Sequence, residues 1–263
     1  MLSTWTKVVS QLTRLDTSAI AFLSLALPLY SSTSNLRYSV VQSLPVLTIS
    51  MSGFVINDLH DIEKDKTNHP HRPLPSQRVS PVAACILYFF LLTLSLVLIK
   101  ANVEPTHTYI YLIFLVGLIN YNYVVSYIPW LKDFYVAAIG IFPLFILSFL
   151  LPEEREHGPV IICLFLFLLG REMLMDIEDF DGDGETLVKK IGLGMSAYAA
   201  FGAKFLGSLF LSRQIGDLWG AIILFAVVVS DLLFLFLWSR PTMRAVVLFC
   251  MKLQLLLGIY YLI

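Results

Sequence analysis

The sequence predicts an all-α protein that crosses a membrane many times, and three observations predict it. The 263 residues are 57% hydrophobic and only 14% charged, where a soluble domain carries about a quarter charged residues. The mean hydropathy is +0.78. Apolar runs recur along the whole chain, most of them near the ~20 residues that cross a bilayer as a helix.

Taken in order, the runs cover about 17 to 33, 38 to 57, 81 to 99, 108 to 128, 134 to 151, 159 to 175, 193 to 211, 218 to 239 and 243 to 262. They predict about nine helices in a single domain, 1–263. The first and fifth runs are short, so eight spans or a re-entrant segment are the alternatives. Lys7 and Arg14 precede the first run, and no small-residue cleavage pattern follows Tyr30. The run therefore reads as a first membrane helix, not a removed signal. Polar punctuation divides the rest: Pro70, Pro73 and Pro75, then Pro129, then Pro152 with Glu153, Glu154 and Glu156, then Gly182 and Gly184. Cys85, Cys163 and Cys250 fall inside apolar runs without paired or metal-type spacing and read as small core hydrophobes.

The net charge of -1 hides a segregation: 11 of the 19 acids lie between Asp58 and Asp65 or between Glu172 and Glu185. Within each window three aspartates share the spacing Asp-x-x-Asp-x-x-x-Asp, as Asp58, Asp61 and Asp65 and again as Asp176, Asp179 and Asp183. On a helix, that spacing keeps three carboxylates within about 60° of one face. Glu63, Glu178 and Glu185 read as ordinary solvated acids. Each cluster follows an even-numbered span, so both emerge on one side of the membrane and are free to face one another. With the N-terminus inside, twelve basic residues of the spans' ends and loops fall on that side and four on the other, which predicts that the acidic loops face the cytoplasm.

Charge this costly at the ends of membrane helices is expected to serve a function. Paired clusters of oxygen ligands suit a hard divalent cation, and Mg²⁺ in particular is held by a few carboxylates together with the phosphates of a substrate. Lys64, Lys66, Arg72, Arg78, Lys132, Lys189 and Lys190 lie nearby in sequence and are candidate phosphate partners. His60, His69 and His71 lack a zinc framework. No Walker-type glycine loop and no basic-aromatic surface for nucleic acid is present. Lys204 and Lys252 lie inside predicted spans, where snorkelling or a buried partner is expected.

These motifs resemble those of the UbiA-type intramembrane prenyltransferases: Asn57-Asp58-x-x-Asp61-x-x-x-Asp65 after the second helix and Asp176-x-x-Asp179-x-x-x-Asp183 after the sixth. Asn68-His-Pro70-His-Arg72-Pro73-Leu-Pro75-Ser76, Gly170-Arg171-Glu172, and Tyr127 with Lys132 add to the likeness. The resemblance implies a helical bundle around a central cavity, in which Mg²⁺ held by the six aspartates binds a polyprenyl diphosphate. It implies that Asn57, Arg72, Lys132 and Lys189 bind the diphosphate, and that Tyr123, Tyr127 and Lys132 serve the reacting carbon. The expected reaction ionises the allylic diphosphate and passes the prenyl group to a hydrophobic acceptor, aromatic or lipid-like, inside the bilayer. Phe54, Tyr121, Tyr123, Trp130 and Phe134 are candidates to line the cation's path. The stretch from Arg171 to Asp183 looks closer to members that prenylate glycerol-phosphate ethers than to those acting on benzoates. The chain departs from the pattern in a shortened segment after Asp183, in Val188 where a proline is frequent, and in Met175 where a basic residue is common. A terpene cyclase on the same scaffold is the alternative, and a divalent-cation transporter a remote one.

Overall fold

The computed structural model describes residues 2–151, 157–178, 180 and 185–215, with isolated positions at 222, 225, 226 and 229. Every element among them is helical. The predicted runs at 218 to 239 and 243 to 262 lie outside the described residues, apart from those isolated positions. Four helical segments are long and apolar enough to cross a membrane, or five if the bent pair Trp5–Leu12 with Leu15–Thr33 forms one span. The described helices form two compact units, the first within residues 2–129 and the second from residue 130 onward.

The first unit contains α1 (Leu2–Leu12), α2 (Leu15–Thr33), α3 (Leu36–His60), α4 (Ile62–Asn68), α5 (Pro81–Asn102) and α6 (Pro105–Tyr127). Local chemistry sets their limits. Arg14 and Ser34 adopt left-handed backbone, at φ 41° and 52°, and turn the chain before and after α2. The Asn35 side chain caps α3 by accepting from the Tyr38 N–H at 3.0 Å. Ser80 caps α5 in the same way, and Pro81 supplies a first residue that needs no N–H partner.

Helix α3 is the axis of this unit, packing against α2, α5 and α6. Its buried face is rich in small and polar residues, among them Ser39, Ser43, Thr48, Ser52 and Gly53. Small side chains let helices approach closely inside a bilayer, where apolar burial alone gives little drive to associate. The polar groups are used: Ser95 Oγ donates to Thr48 Oγ1 at 2.9 Å, Gln42 Nε2 to the Asn102 carbonyl at 2.8 Å, and Tyr111 OH to the Gln42 carbonyl at 3.0 Å. A Cβ at Gly53 would stand 2.9 Å from Leu118 Cδ2, so glycine is what lets α6 lie this near. On α5, by contrast, Val82, Ile86, Phe89, Phe90 and Val97 point outward, as expected of a surface meeting lipid. Cys85 is exposed on the same helix, which corrects its reading as a core residue; Cys163 is buried as expected.

Two helices absent from the sequence-based reading, α1 and α4, frame the end of α3. Val8 and Leu12 of α1 pack with Val55 of α3, Leu74 and Val79 of the proline-rich loop, and Ala84, Tyr88 and Leu91 of α5. This cluster fixes the loop and the first helix beside the acidic end of α3.

In the second unit a single 3-10 turn, Pro129–Leu131, leads into α7 (Lys132–Gly140), α8 (Phe142–Leu150), α9 (His157–Glu178), α10 (Leu187–Ile191) and α11 (Leu193–Ile215). The short fifth run is thus two helices, interrupted at Ile141 with Pro143 in the first turn of α8, where its missing N–H is tolerated. Helices α9 and α11 meet through main chain: a Cβ at Gly170 would lie 2.3 Å from the Ala200 carbonyl oxygen, and one at Gly207 2.5 Å from that of Cys163. Lys204, on α11 between these contacts, is fully buried with its Nζ 5.4 Å from the centre of the Phe167 ring. Of the two expectations for Lys204, snorkelling or burial with a partner, the second is what occurs, and both flanking contacts draw its stem into the helix seam.

Candidate active site

The first acidic motif spans a helix break. Asp58 lies on the last turn of α3, Asp61 sits in the junction at φ −90°, ψ 11°, and Asp65 belongs to α4. The expectation of one continuous helix is corrected here, although the backbone bonds Asp61 N to Asn57 O and Asp65 N to Asp61 O keep the four-residue spacing through the bend. Asp58 and Asp65 are almost completely buried. Burying a carboxylate is costly unless a cation or several donors meet it, and both are met.

Arg72 Nη1 bridges the two carboxylate oxygens of Asp65 at 2.9 and 2.8 Å and stands 3.7 Å from Asp58 Oδ1. Asn57 Nδ2 donates to Asp61 Oδ2 at 3.0 Å, while the side-chain Oδ1 of Asn57 is buried without a hydrogen-bond partner among the described residues. Asn57, Arg72 and the three aspartates therefore do gather at one place.

Sequence reasoning counted Arg14 only as a positive-inside residue. Arg14 Nη2 donates to Asp58 Oδ1 at 3.0 Å, and its guanidinium carbon lies 4.8 Å from the centre of the Phe54 ring, one turn back along α3. Phe54, a candidate for stabilising a carbocation, is thus covered by a resident cation. No local signal marks Arg14: it comes from the bend between α1 and α2, and only tertiary structure brings it to α3. A cleft of about 340 Å³ opens beside these groups, lined by Ser10, Gln11, Arg14, Asp16, Asp58, His71, Arg72 and Pro73.

Tyr123 and Tyr127 occupy the last turns of α6, one turn apart, with ring centres 4.7 Å apart. Both are largely exposed.

The second motif lies in the second unit. Asp176, near the end of α9, is buried, and Lys132 Nζ at the start of α7 donates to its Oδ1. Asp179 and Asp183 fall outside the described residues. Lys189 is exposed on α10, its Nζ 5.5 Å over the Phe180 ring, and Lys190 stands at the same distance over Trp130. Arg171 pairs with Glu172. Asp133 was also missed. It follows Lys132 in sequence, is 1% exposed, and neither of its oxygens has a hydrogen-bond partner among the described residues, although the Asp176 charge on the neighbouring helix acts on it. As a lone acid in a first helical turn it looks like an ordinary dipole partner.

Among the described residues no three His, Cys, Asp or Glu side chains form a ready metal cage; in both units cations stand against the carboxylates instead. The donor set still fits a hard divalent ion. It consists of carboxylate and amide oxygens, and the buried Asn57 oxygen lacks a donor that a cation's positive charge would replace.

Residues 17–257 match the UbiA prenyltransferase family. A digeranylgeranylglyceryl phosphate synthase of Methanoregula boonei is 31% identical over 242 residues, covering 87% of this chain and 84% of its own length. The synthase of the same name from Methanococcus maripaludis is 26% identical, covering 92% and 81%. Among solved structures, a UbiA homologue from Archaeoglobus fulgidus bound to GPP and Mg²⁺ superposes with a TM-score of 0.66 at 15% identity, over 97% of this chain and 98% of that one. A structure described for digeranylgeranylglyceryl phosphate synthase superposes with a TM-score of 0.57 at 24% identity, over 97% of both chains. At these identities the superpositions speak for the helical membrane fold.

Proposed function

Because the chain belongs to the UbiA prenyltransferase family, we propose that it transfers a prenyl group from a polyprenyl diphosphate to a glyceryl-phosphate lipid within the bilayer, its acidic loops facing the cytoplasm. The observation that carries this reading is the construction of the acidic ends. Buried carboxylates are matched by cations from outside their own helices, Arg14 of the α1–α2 bend and Arg72 of the proline-rich loop on the first motif and Lys132 at the start of α7 on the second. The choice of acceptor is supported by the relatives, which are named as digeranylgeranylglyceryl phosphate synthases, one of them 31% identical over 87% of this chain.

In this reading Asp58, Asp61, Asp65, Asp176, Asp179 and Asp183 hold Mg²⁺, with Asn57 beside the first three. Bound Mg²⁺ supplies positive charge to the departing diphosphate and so favours cleavage of the allylic carbon–oxygen bond. Arg72, Lys132 and Arg14 exchange carboxylate partners for phosphate oxygens and orient them, and Lys189 adds its charge to the same oxygens. Tyr123 and Tyr127 present aromatic faces to the allylic carbon, where a developing cation is stabilised by the ring quadrupole. The apolar surroundings keep water from capturing that cation before the acceptor does.

The test incubates the purified protein with Mg²⁺, labelled prenyl diphosphates of several lengths, and either a prenylglyceryl phosphate or a hydroxybenzoate. A prenylated glyceryl phosphate is the expected product. Prenylation of the benzoate alone would overturn the acceptor assignment. Hydrocarbon or terpene alcohol formed without any acceptor would replace transfer with cyclisation.

A further inference from the structure

Asp133 has no place in either aspartate motif, yet it is the least explained charge in the second unit. Its side chain is buried, and no donor among the described residues reaches either of its oxygens. Helix α7 packs against α9, which carries Asp176, and the Asp176 carboxylate is the foremost charge acting on Asp133. Lys132, its neighbour in sequence, donates to Asp176 Oδ1, and Arg171 is held by Glu172, which adds a third negative charge to the vicinity. Two carboxylates close together away from water repel unless a proton or a cation lies between them. A shared proton would satisfy one oxygen of Asp133 and leave the other buried without a donor. A divalent cation engages oxygens of both side chains at once.

We propose that Asp133 is a metal ligand, reaching from α7 to grip with Asp176 the divalent cation assigned to the second motif. The inference rests on the prenyltransferase reading for the identity of the ion as Mg²⁺, and it adds a ligand that the spacing Asp-x-x-Asp-x-x-x-Asp does not contain. It also gives Lys132 a defined place, since a lysine adjoining two metal-bound carboxylates is set to meet the phosphate oxygens that complete the ion's shell.

Mn²⁺ binding to the full-length protein in detergent, followed by electron paramagnetic resonance with and without geranyl S-thiolodiphosphate, tests this without turnover. Asp133→Asn and Asp176→Asn are each expected to weaken Mn²⁺ binding at least about tenfold, the scale on which metal-site substitutions act. In EDTA, Asp133→Asn is expected to melt above the wild type, because the carboxylate repulsion is gone, and to gain less from added Mg²⁺. Asp133→Cys places a soft ligand in the shell and is expected to raise the preference for Cd²⁺ over Mn²⁺ relative to wild type. It serves also if Asp133→Asn does not fold. Wild-type Mn²⁺ affinity in Asp133→Asn with loss in Asp176→Asn, or an unchanged Cd²⁺ preference in Asp133→Cys, overturns the role of Asp133 and leaves the family reading standing. A wild-type protein that binds no Mn²⁺ under either condition overturns both.

Discussion

Arg14 and Asp58, 44 residues apart in the chain, form an ion pair at 3.0 Å in which the arginine is about one-third exposed and the aspartate almost entirely enclosed. The asymmetry matters. An enclosed carboxylate needs its partner, whereas a half-open guanidinium can leave it when a stronger ligand for the carboxylate arrives. Arg14 lines the adjoining cleft, where a phosphate oxygen would meet it.

Replacing Arg14 by alanine is therefore expected to raise KM for the prenyl diphosphate about tenfold, the equivalent of one charge-assisted hydrogen bond. The melting temperature in Mg²⁺ is expected to change little, because Arg72 also lies near Asp58. Steady-state kinetics and a thermal melt on the same preparation check both halves.

Arg72→Lys separates holding the loop from binding substrate. One nitrogen of Arg72 makes both contacts to Asp65, so a lysine ammonium can replace that link as a point charge. It cannot replace the remaining guanidinium donors, whose fork suits phosphate. Fold and melting temperature should be retained while diphosphate affinity falls, on the order of tenfold. Isothermal titration with a thiolodiphosphate analogue reads this directly, and wild-type affinity would remove Arg72 from the diphosphate shell.

Gly170→Ala is expected to destabilise the second unit by about 2 kcal/mol, since the new methyl would overlap the Ala200 carbonyl and force α9 from α11. Gly202→Ala is the control on α11, with open space at its Cβ. It should be neutral, or stabilising by about 0.5 to 1 kcal/mol from helix propensity alone. Thermal melts of the two variants should move in different directions.

The tyrosine pair makes a chemical prediction. If ring faces and not hydroxyls serve the reacting carbon, Tyr123→Phe and Tyr127→Phe retain activity within a few fold, whereas Tyr127→Ala loses about tenfold or more, the worth of one desolvated cation–π contact. Initial rates at saturating Mg²⁺ distinguish the two cases. A large loss in Tyr127→Phe would assign the role to the hydroxyl.

Chelation supplies the broadest check. EDTA is expected to abolish turnover, Mg²⁺ to restore it, and Asp61→Asn to prevent the restoration. Of the first motif's aspartates, Asp61 is the one that pairs with an amide and not an arginine, so its substitution strands no buried cation.

Hydrophobic periodicity read the membrane helices well wherever a run was long: α3, α5 and α6 each lie where an apolar stretch predicted a span. It failed where local composition was ambiguous. α1 is short and amphipathic, α4 is a polar helix inside a motif, and the run from 134 to 151, although it lies in a segment long and apolar enough to cross a membrane, conceals a break at Ile141 that becomes legible only once Pro143 is read as a helix start. Of the residues singled out from the motifs and the resemblance, Asp58, Asp65 and Arg72 stand together in the first unit and Asp176 pairs with Lys132 in the second. Arg14 and Asp133 stayed hidden for opposite reasons. One has its partners only across the fold, and the other imitates a common helix-start acid.

The seam between α9 and α11 carries a consequence for redesign. A contact made of peptide groups at Gly170 and Gly207 has no side chain to trim or enlarge, so the spacing of those two helices cannot be tuned by substitution without prising them apart. Efforts to fit a bulkier or slimmer isoprenoid should spare that pair and vary other surfaces, where bulk can be exchanged one methyl at a time.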